Sequence, residues 1–246
     1  MALLDGRFRE AELHANEAFR ESQPLHIQNA GRIHALQLGW LRFDQGRLTE
    51  LGPMADRVDA SLPITRAGRA FLRHAAGRVD EARREFEALT DAIAVLPRDS
   101  FWMGTLTILA ELALWLEDAV RAKALYEALR PHEAQSVLFG VRSTCRGSVA
   151  LYLGLLARVA GRRDAVVPHL EAAIRANARL RAVPLLARSQ LELARELCER
   201  ARADDRSRAL ALLSESSDLQ QGLGLHHRES EIAALRECLR SRTAPL

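Results

Sequence analysis

Lysine is almost missing from this chain, aromatic residues are few, and no apolar run is long enough to cross a bilayer. Among its 246 residues Lys123 is the one lysine, aromatics make up 5%, and the three cysteines stand far apart in sequence. Each shortage excludes something. Cys145, Cys198 and Cys238 form no CxxC pair and no Cys/His ligand spacing, so neither a disulfide framework nor a zinc site is indicated. They read as small apolar residues of a reducing compartment. Without about eighteen consecutive apolar residues there is no transmembrane helix, and no membrane partner is expected. Met1–Arg7 offers neither the basic nor the long apolar region of a secretory signal, so the expected compartment is the cytoplasm. Phosphate loops of the GxxxxGK[ST] or GxGxxG kind are missing, as are GxSxG and HExxH. The chain is therefore expected to be no enzyme, with no cofactor and no metal.

Charge adds little. The balance is 35 basic against 32 acidic residues, a net +3. A nucleic-acid binder concentrates its positive charge. Here the arginines alternate with Glu and Asp along helical faces, the pattern of a solvated surface laced with ion pairs. Direct nucleic-acid binding is not expected.

What is abundant is Leu, Ala, Glu and Arg, with few β-branched or aromatic residues, and that composition favours helix over sheet. A turn followed by an Ala-punctuated helix recurs along the chain. Its clearest copies are Gly77-Arg78-Val79-Asp80-Glu81-Ala82-Arg83-Arg84-Glu85-Phe86-Glu87-Ala88-Leu89 and Gly161-Arg162-Arg163-Asp164-Ala165-Val166-Val167-Pro168-His169-Leu170-Glu171-Ala172-Ala173. Weaker copies start at Gly6, Gly46, Glu117 and Asp204. The turn glycine accepts the positive φ that ends the preceding helix. Seven residues earlier stands a small residue (Gly39, Ala70, Ala110, Gly154) that lets helices approach, and a bulky one (Phe86, Tyr126, Leu170) fills the space between them.

That is the logic of a tetratricopeptide-like repeat, with a period longer than the usual ~34 residues. The expected fold is all-α, an αα-hairpin solenoid of about five complete helix pairs, forming one domain over 1–246. First helices are expected over 26–43, 63–76, 99–116, 134–160 and 183–201. Second helices are expected over 7–22, 47–60, 78–95, 118–131, 162–180 and 205–222, starting near 7, 47, 78, 118, 162 and 205. A final helix over 226–241 covers the end. Pro24, Pro63, Pro97, Pro131 and Pro184 fall near helix boundaries, as helix breaking requires. The first repeat lacks most of its first helix, and Ala11, Ala15 and Ala18 form a stripe that wants a partner. The expectation is either a chain cut from, or forming the C-terminal part of, a longer protein, or a homodimer through that N-terminal repeat.

Several strings resemble the C-terminal helical region of large bacterial ATP-binding regulators. They are Gly147-Ser148-Val149-Ala150-Leu151-Tyr152-Leu153-Gly154-Leu155-Leu156-Ala157, Leu186-Ala187-Arg188-Ser189-Gln190-Leu191-Glu192-Leu193-Ala194-Arg195, Arg208-Ala209-Leu210-Ala211-Leu212-Leu213 and Leu96-Pro97-Arg98-Asp99-Ser100-Phe101-Trp102. Such regulators include LuxR-type ATP-dependent transcriptional regulators and adenylate or guanylate cyclases that carry an ATPase. The resemblance implies a non-catalytic arm that senses an effector or binds a partner, in signal transduction or transcription regulation. The other reading is a stand-alone helical receptor for a small molecule or short peptide.

The concave face of such an array is lined by first helices. Ile33, Leu36, Trp40 and Phe43 share one helical face, with Phe71 and His74 at equivalent places in the next repeat. They are candidates for an apolar groove that takes a protein or peptide partner or a small effector, or else they are packing between repeats. Arg142, Arg146 and Arg158 are candidates for a phosphate, carboxylate or acidic-peptide site, or else they pair with Glu on neighbouring helices. His26 with His34, and His226 with His227, lack a third ligand nearby and do not point to metal. Arg228-Glu229-Ser230-Glu231-Ile232 faintly echoes the opening of a LuxR-type helix-turn-helix.

Overall fold

Glycine and proline punctuate the helices much as the repeat spacing requires. The computed structural model describes residues 1–25, 29–140, 144–202 and 204–241. Among them are eleven α-helices: α1 Phe8–Ser22, α2 Ala30–Asp44, α3 Pro63–Ala75, α4 Val79–Asp91, α5 Trp102–Leu116, α6 Ala119–Leu129, α7 Val149–Val159, α8 Arg163–Arg179, α9 Val183–Arg200, α10 Asp205–Gly222 and α11 Glu229–Ser241. Three 3-10 segments, Leu48–Arg57, Ile93–Val95 and Arg130–His132, supplement them. The class is all-α, with one small antiparallel ribbon of β1 Ser136–Phe139 and β2 Thr144–Ser148. No helix among the described residues is long and apolar enough to cross a membrane.

Gly46, Gly77 and Gly161 follow α2, α3 and α7 at φ of 71°, 78° and 72°. Where the repeat has no glycine, Glu117 takes the same left-handed turn at φ 52°. Helices adjacent in sequence pack together: α1 on α2, α3 on α4, α5 on α6, and then α6 through α10 each on the next. α11 rests on α9 and α10. The small positions early in second helices, Ala82, Ala122, Val166 and Ala209, are fully buried, as are Phe86 and Leu170.

The close approach expected at Gly154 is real: a Cβ there would lie 2.6 Å from Leu170 Cδ2 and 2.7 Å from its Cγ. At Gly39 nothing lies within 4 Å of such a Cβ, so that glycine is not required for packing. Overpacking costs about 1–3 kcal/mol and Ala gains about 1 kcal/mol of helix propensity over Gly. Gly154→Ala is expected to lose about 1 kcal/mol in urea unfolding, and a second change, Leu170→Val, to recover most of it. Gly39→Ala is expected to lose none.

Two expected helices are corrected. Residues 134–160 are not one helix. Gly140 and Gly147 adopt φ of 56° and 69°, the ribbon forms around them, and α7 starts only at Val149, capped by the Ser148 side chain. Within 47–60, Leu48–Arg57 form a 3-10 segment rather than an α-helix, because Pro53 inside it removes an N–H from any α ladder and Gly52 beside it is a poor helix former.

The ends of the helix series meet. The Val183 N–H donates to the Leu4 carbonyl at 2.8 Å, and Gly6 lies against Leu223. Arg146 on β2 makes a two-pronged ion pair with Asp44 at the end of α2, at 2.5 and 2.9 Å. A linear stack whose repeats touch only their neighbours makes no such contacts. On α1, Ala15 is buried and Ala11 half-buried, while Ala18 and Leu13 are exposed.

Candidate functional site

Phe43, His74, Leu114 and Arg158 each stand three residues before a turn residue: Gly46, Gly77, Glu117 and Gly161. Stacking the pairs brings these equivalent positions onto one surface. Closure of the chain ends then adds α9 and the loop before α11. The result is an open pocket of about 620 Å³ between α2, α5, α7 and α9, with Arg228 at its rim. That volume lies within the range of small-ligand sites.

One side of the pocket is aromatic. Trp115 stacks on Phe71 (centroids 4.8 Å apart) and on His74 (4.7 Å), and Phe43 packs 6.1 Å from Trp115. Phe43 also lies under the Arg188 guanidinium at 5.2 Å. The opposite side is charged, and α9 supplies it. Arg188, Glu192 and Arg195 are spaced four and three residues apart, which puts them on one helix face.

The arginines are partly neutralised from beneath. Arg188 holds Glu111 of α5 at 2.5 and 2.8 Å, and Glu111 is fully buried. Arg195 pairs with Glu231 of α11, and Arg163 with Glu199 at 2.8 Å. Arg158 pairs with Glu192, its Nη1 standing 2.8 Å from Oε2. The Nε–H groups of Arg188 and Arg195 find no hydrogen-bond acceptor among the described residues. Arg228 has its closest described carboxylates at 3.7 Å (Glu231) and 4.0 Å (Glu192).

These charges set the ionisation of the site. Burial pushes the Glu192 carboxyl upward, yet Arg158, Arg195, Arg188 and Arg228 outweigh it and hold the group at about 2. Arg228 is pushed the other way, below the usual arginine value, by burial and by the like charge of Arg188. His74 is lowered by burial and by Arg83. The pocket therefore presents a fixed carboxylate in a positive field, beside Arg228, whose carboxylate partners Glu231 and Glu192 stand at 3.7 and 4.0 Å.

The residues singled out from sequence fall into distinct places. Phe43 and Arg158 line the pocket, and His74 is half-buried behind Trp115. Trp40 and Phe71 are 2% and 4% exposed, so they are core beneath the pocket rather than groove. Arg146 is 1% exposed, spent on Asp44 and stacked 4.2 Å over Trp40. Ile33 and Leu36 are half-buried on α2 and do not reach the pocket, and Leu36 packs on the core. Arg142 and His26 lie outside the described residues. His34 stacks on Phe19 at 4.4 Å and bonds Asn16 at 2.8 Å. No group of three or more His, Cys, Asp or Glu among the described residues is placed to hold a metal.

Sequence reasoning missed Trp115, Arg188, Glu192, Arg195 and Arg228. The spacing of the three α9 residues was a usable signal. Arg228 carried none, because only the closure of the chain brings it to α9. The string that echoes a helix-turn-helix instead places Arg228 at the pocket rim and buries Ile232. No family model, no curated protein and no solved structure matches the chain.

Proposed function

We propose that this chain is a non-catalytic binding module, a tetratricopeptide-like αα-hairpin solenoid whose two ends are drawn together and which receives an anionic ligand in the arginine-lined pocket. The anion is a carboxylate or phosphate, carried by a small effector or by an acidic segment of a partner. The resemblance to the C-terminal region of bacterial ATP-binding regulators fits a cytoplasmic sensing arm whose occupancy biases an output domain. A stand-alone receptor would use the same pocket.

The observation that carries the reading is the pair of arginine N–H groups at the pocket without a hydrogen-bond acceptor among the described residues, Arg188 Nε and Arg195 Nε. Buried polar groups in native proteins are normally satisfied, and unmet arginine donors are what an incoming carboxylate or phosphate satisfies. The helix-pair part of the reading is supported by the turn glycines and by the packing of successive helices. The non-catalytic part is supported by the ionisation of the site. A carboxylate held at about 2 is a poor proton acceptor near neutral pH.

The test is a titration at matched ionic strength with two probes, pyrophosphate and a Glu-rich decapeptide, read by calorimetry. Charge-assisted hydrogen bonds contribute about 1.5–3 kcal/mol, so Arg228→Gln is expected to weaken binding at least about tenfold. The tighter probe indicates whether the ligand is a compact effector or an acidic peptide. Equal affinity of Arg228→Gln and the unaltered protein for both probes would contradict the assignment of the pocket.

A further inference from the structure

Two of the three cysteines, distant in sequence, meet in space. Cys198 near the end of α9 and Cys238 near the end of α11 place their sulfurs 3.4 Å apart, both as thiols. Cys198 is buried and Cys238 is half-exposed. Cys145 lies on the ribbon, in a different part of the fold.

The surrounding interface already holds the two helices in register. Ile232 and Leu239 of α11 are buried, and Leu235 packs on the core. The Arg195–Glu231 ion pair bridges α9 and α11 on the same side, one turn before Cys198 on α9 and two turns before Cys238 on α11. A disulfide needs the sulfurs about 2.05 Å apart, so a shift of about 1.4 Å along a contact already made is sufficient.

We propose that Cys198 and Cys238 form a reversible disulfide site whose oxidant is a low-molecular-weight disulfide of the glutathione class. The half-exposed Cys238 is the entry point. Its thiolate attacks one sulfur of the oxidant RSSR, forming a mixed disulfide and releasing RS⁻, which takes up the proton Cys238 gave up. Cys198, as thiolate, then attacks the Cys238 sulfur and expels the second RS⁻, which takes the Cys198 proton. The balance is one protein dithiol plus RSSR giving one protein disulfide plus two RSH. The protein loses two electrons and the small disulfide gains them. Exchange of this kind through a mixed disulfide suits a cysteine pair in a reducing compartment, where disulfides are transient and responsive rather than structural.

The bond would close a loop that contains α10 and Arg228, and staple α11 onto α9. The expected result is an intrachain bond and a folded state with a higher unfolding midpoint, by about 5–10 °C.

The experiment treats the full native chain with oxidised glutathione and maps its peptides without reduction. The expected map links the Cys198 and Cys238 peptides at a mass two hydrogens lower, leaves Cys145 as a thiol, and reverts with dithiothreitol. In Cys198→Ser the expected product is a glutathione adduct that stays on Cys238. Neither measurement depends on the anion pocket, so its failure would leave this site standing. A linked pair that includes Cys145, a disulfide dimer, or a glutathione adduct on Cys238 of the unaltered chain that never resolves would each overturn the proposal. So would native protein that keeps all three thiols while the urea-unfolded chain reacts.

Discussion

Replacing Asp44 by Ala is expected to lower stability by about 3–5 kcal/mol, the loss seen when one member of a buried ion pair is removed. Arg146 is 1% exposed and gives both ends of its guanidinium to Asp44. It also stacks on Trp40, and its carbonyl accepts from the Tyr152 hydroxyl at 3.4 Å. Burial works against its charge and Asp44 more than offsets that, so the guanidinium stays charged. Without Asp44 that charge is left in a dry interior, and the chain has no cheap way to expose it. The double variant Asp44→Ala/Arg146→Met is expected to recover most of the loss, because apolar groups of similar volume replace buried pairs at little cost. Urea unfolding of the three proteins measures this. A loss below about 1 kcal/mol for Asp44→Ala would mean that the ion pair does not hold α2 against the ribbon.

Glu192→Gln is expected to cost about 3 kcal/mol at pH 7, and the cost is expected to disappear in acid. The Glu192 side chain is only 3% exposed, and the arginines around it hold its carboxyl at about 2 against an ordinary 4.5. The unfolded chain takes up this proton near 4.5 and the folded protein only near 2. The stabilisation is therefore complete above pH 4.5 and is lost as pH falls toward 2. A shift of this size corresponds to about 3 kcal/mol. Other carboxylates titrate over the same range, but they cancel in the difference between the two proteins. Unfolding free energies at pH 7, 4.5, 3.5 and 2.5 test the effect. A gap that stays constant over that range would assign the loss to packing rather than to the arginine field.

Much of the helical ladder was legible because its punctuation is local. Pro63 and Pro184 stand in the first turn of α3 and α9, and Gly77 and Gly161 supply the positive φ that ends α3 and α7. Even the repeat that lacks a glycine kept its turn, with Glu117 strained into the left-handed region. The ribbon was misread because Val137, Leu138 and Phe139 continue an apolar pattern that a helix also satisfies. The contrary signals were Gly140 and Gly147, which a single helix would not need. The pocket was legible only where repeat equivalence reaches, at Phe43 and Arg158. Trp40 and Phe71 have the right spacing but lie one layer too deep, since the wall above them is Trp115 from a different repeat. Arg188 shares one face of α9 with Glu192 and Arg195, a spacing visible in the sequence, whereas Arg228 arrives through a contact between segments remote in sequence that no local pattern encodes.

Arginine side-chain resonances give the most direct view of the pocket. The Nε–Hε signals of ¹⁵N-labelled protein, assigned with Arg→Lys variants, would be followed as pyrophosphate is added at constant ionic strength. The expected result is saturable shifts confined to Arg158, Arg188, Arg195 and Arg228, while exposed Arg130 and Arg240 stay unmoved. Shifts spread over the exposed arginines and growing without saturation would contradict a built anion site and leave only surface charge.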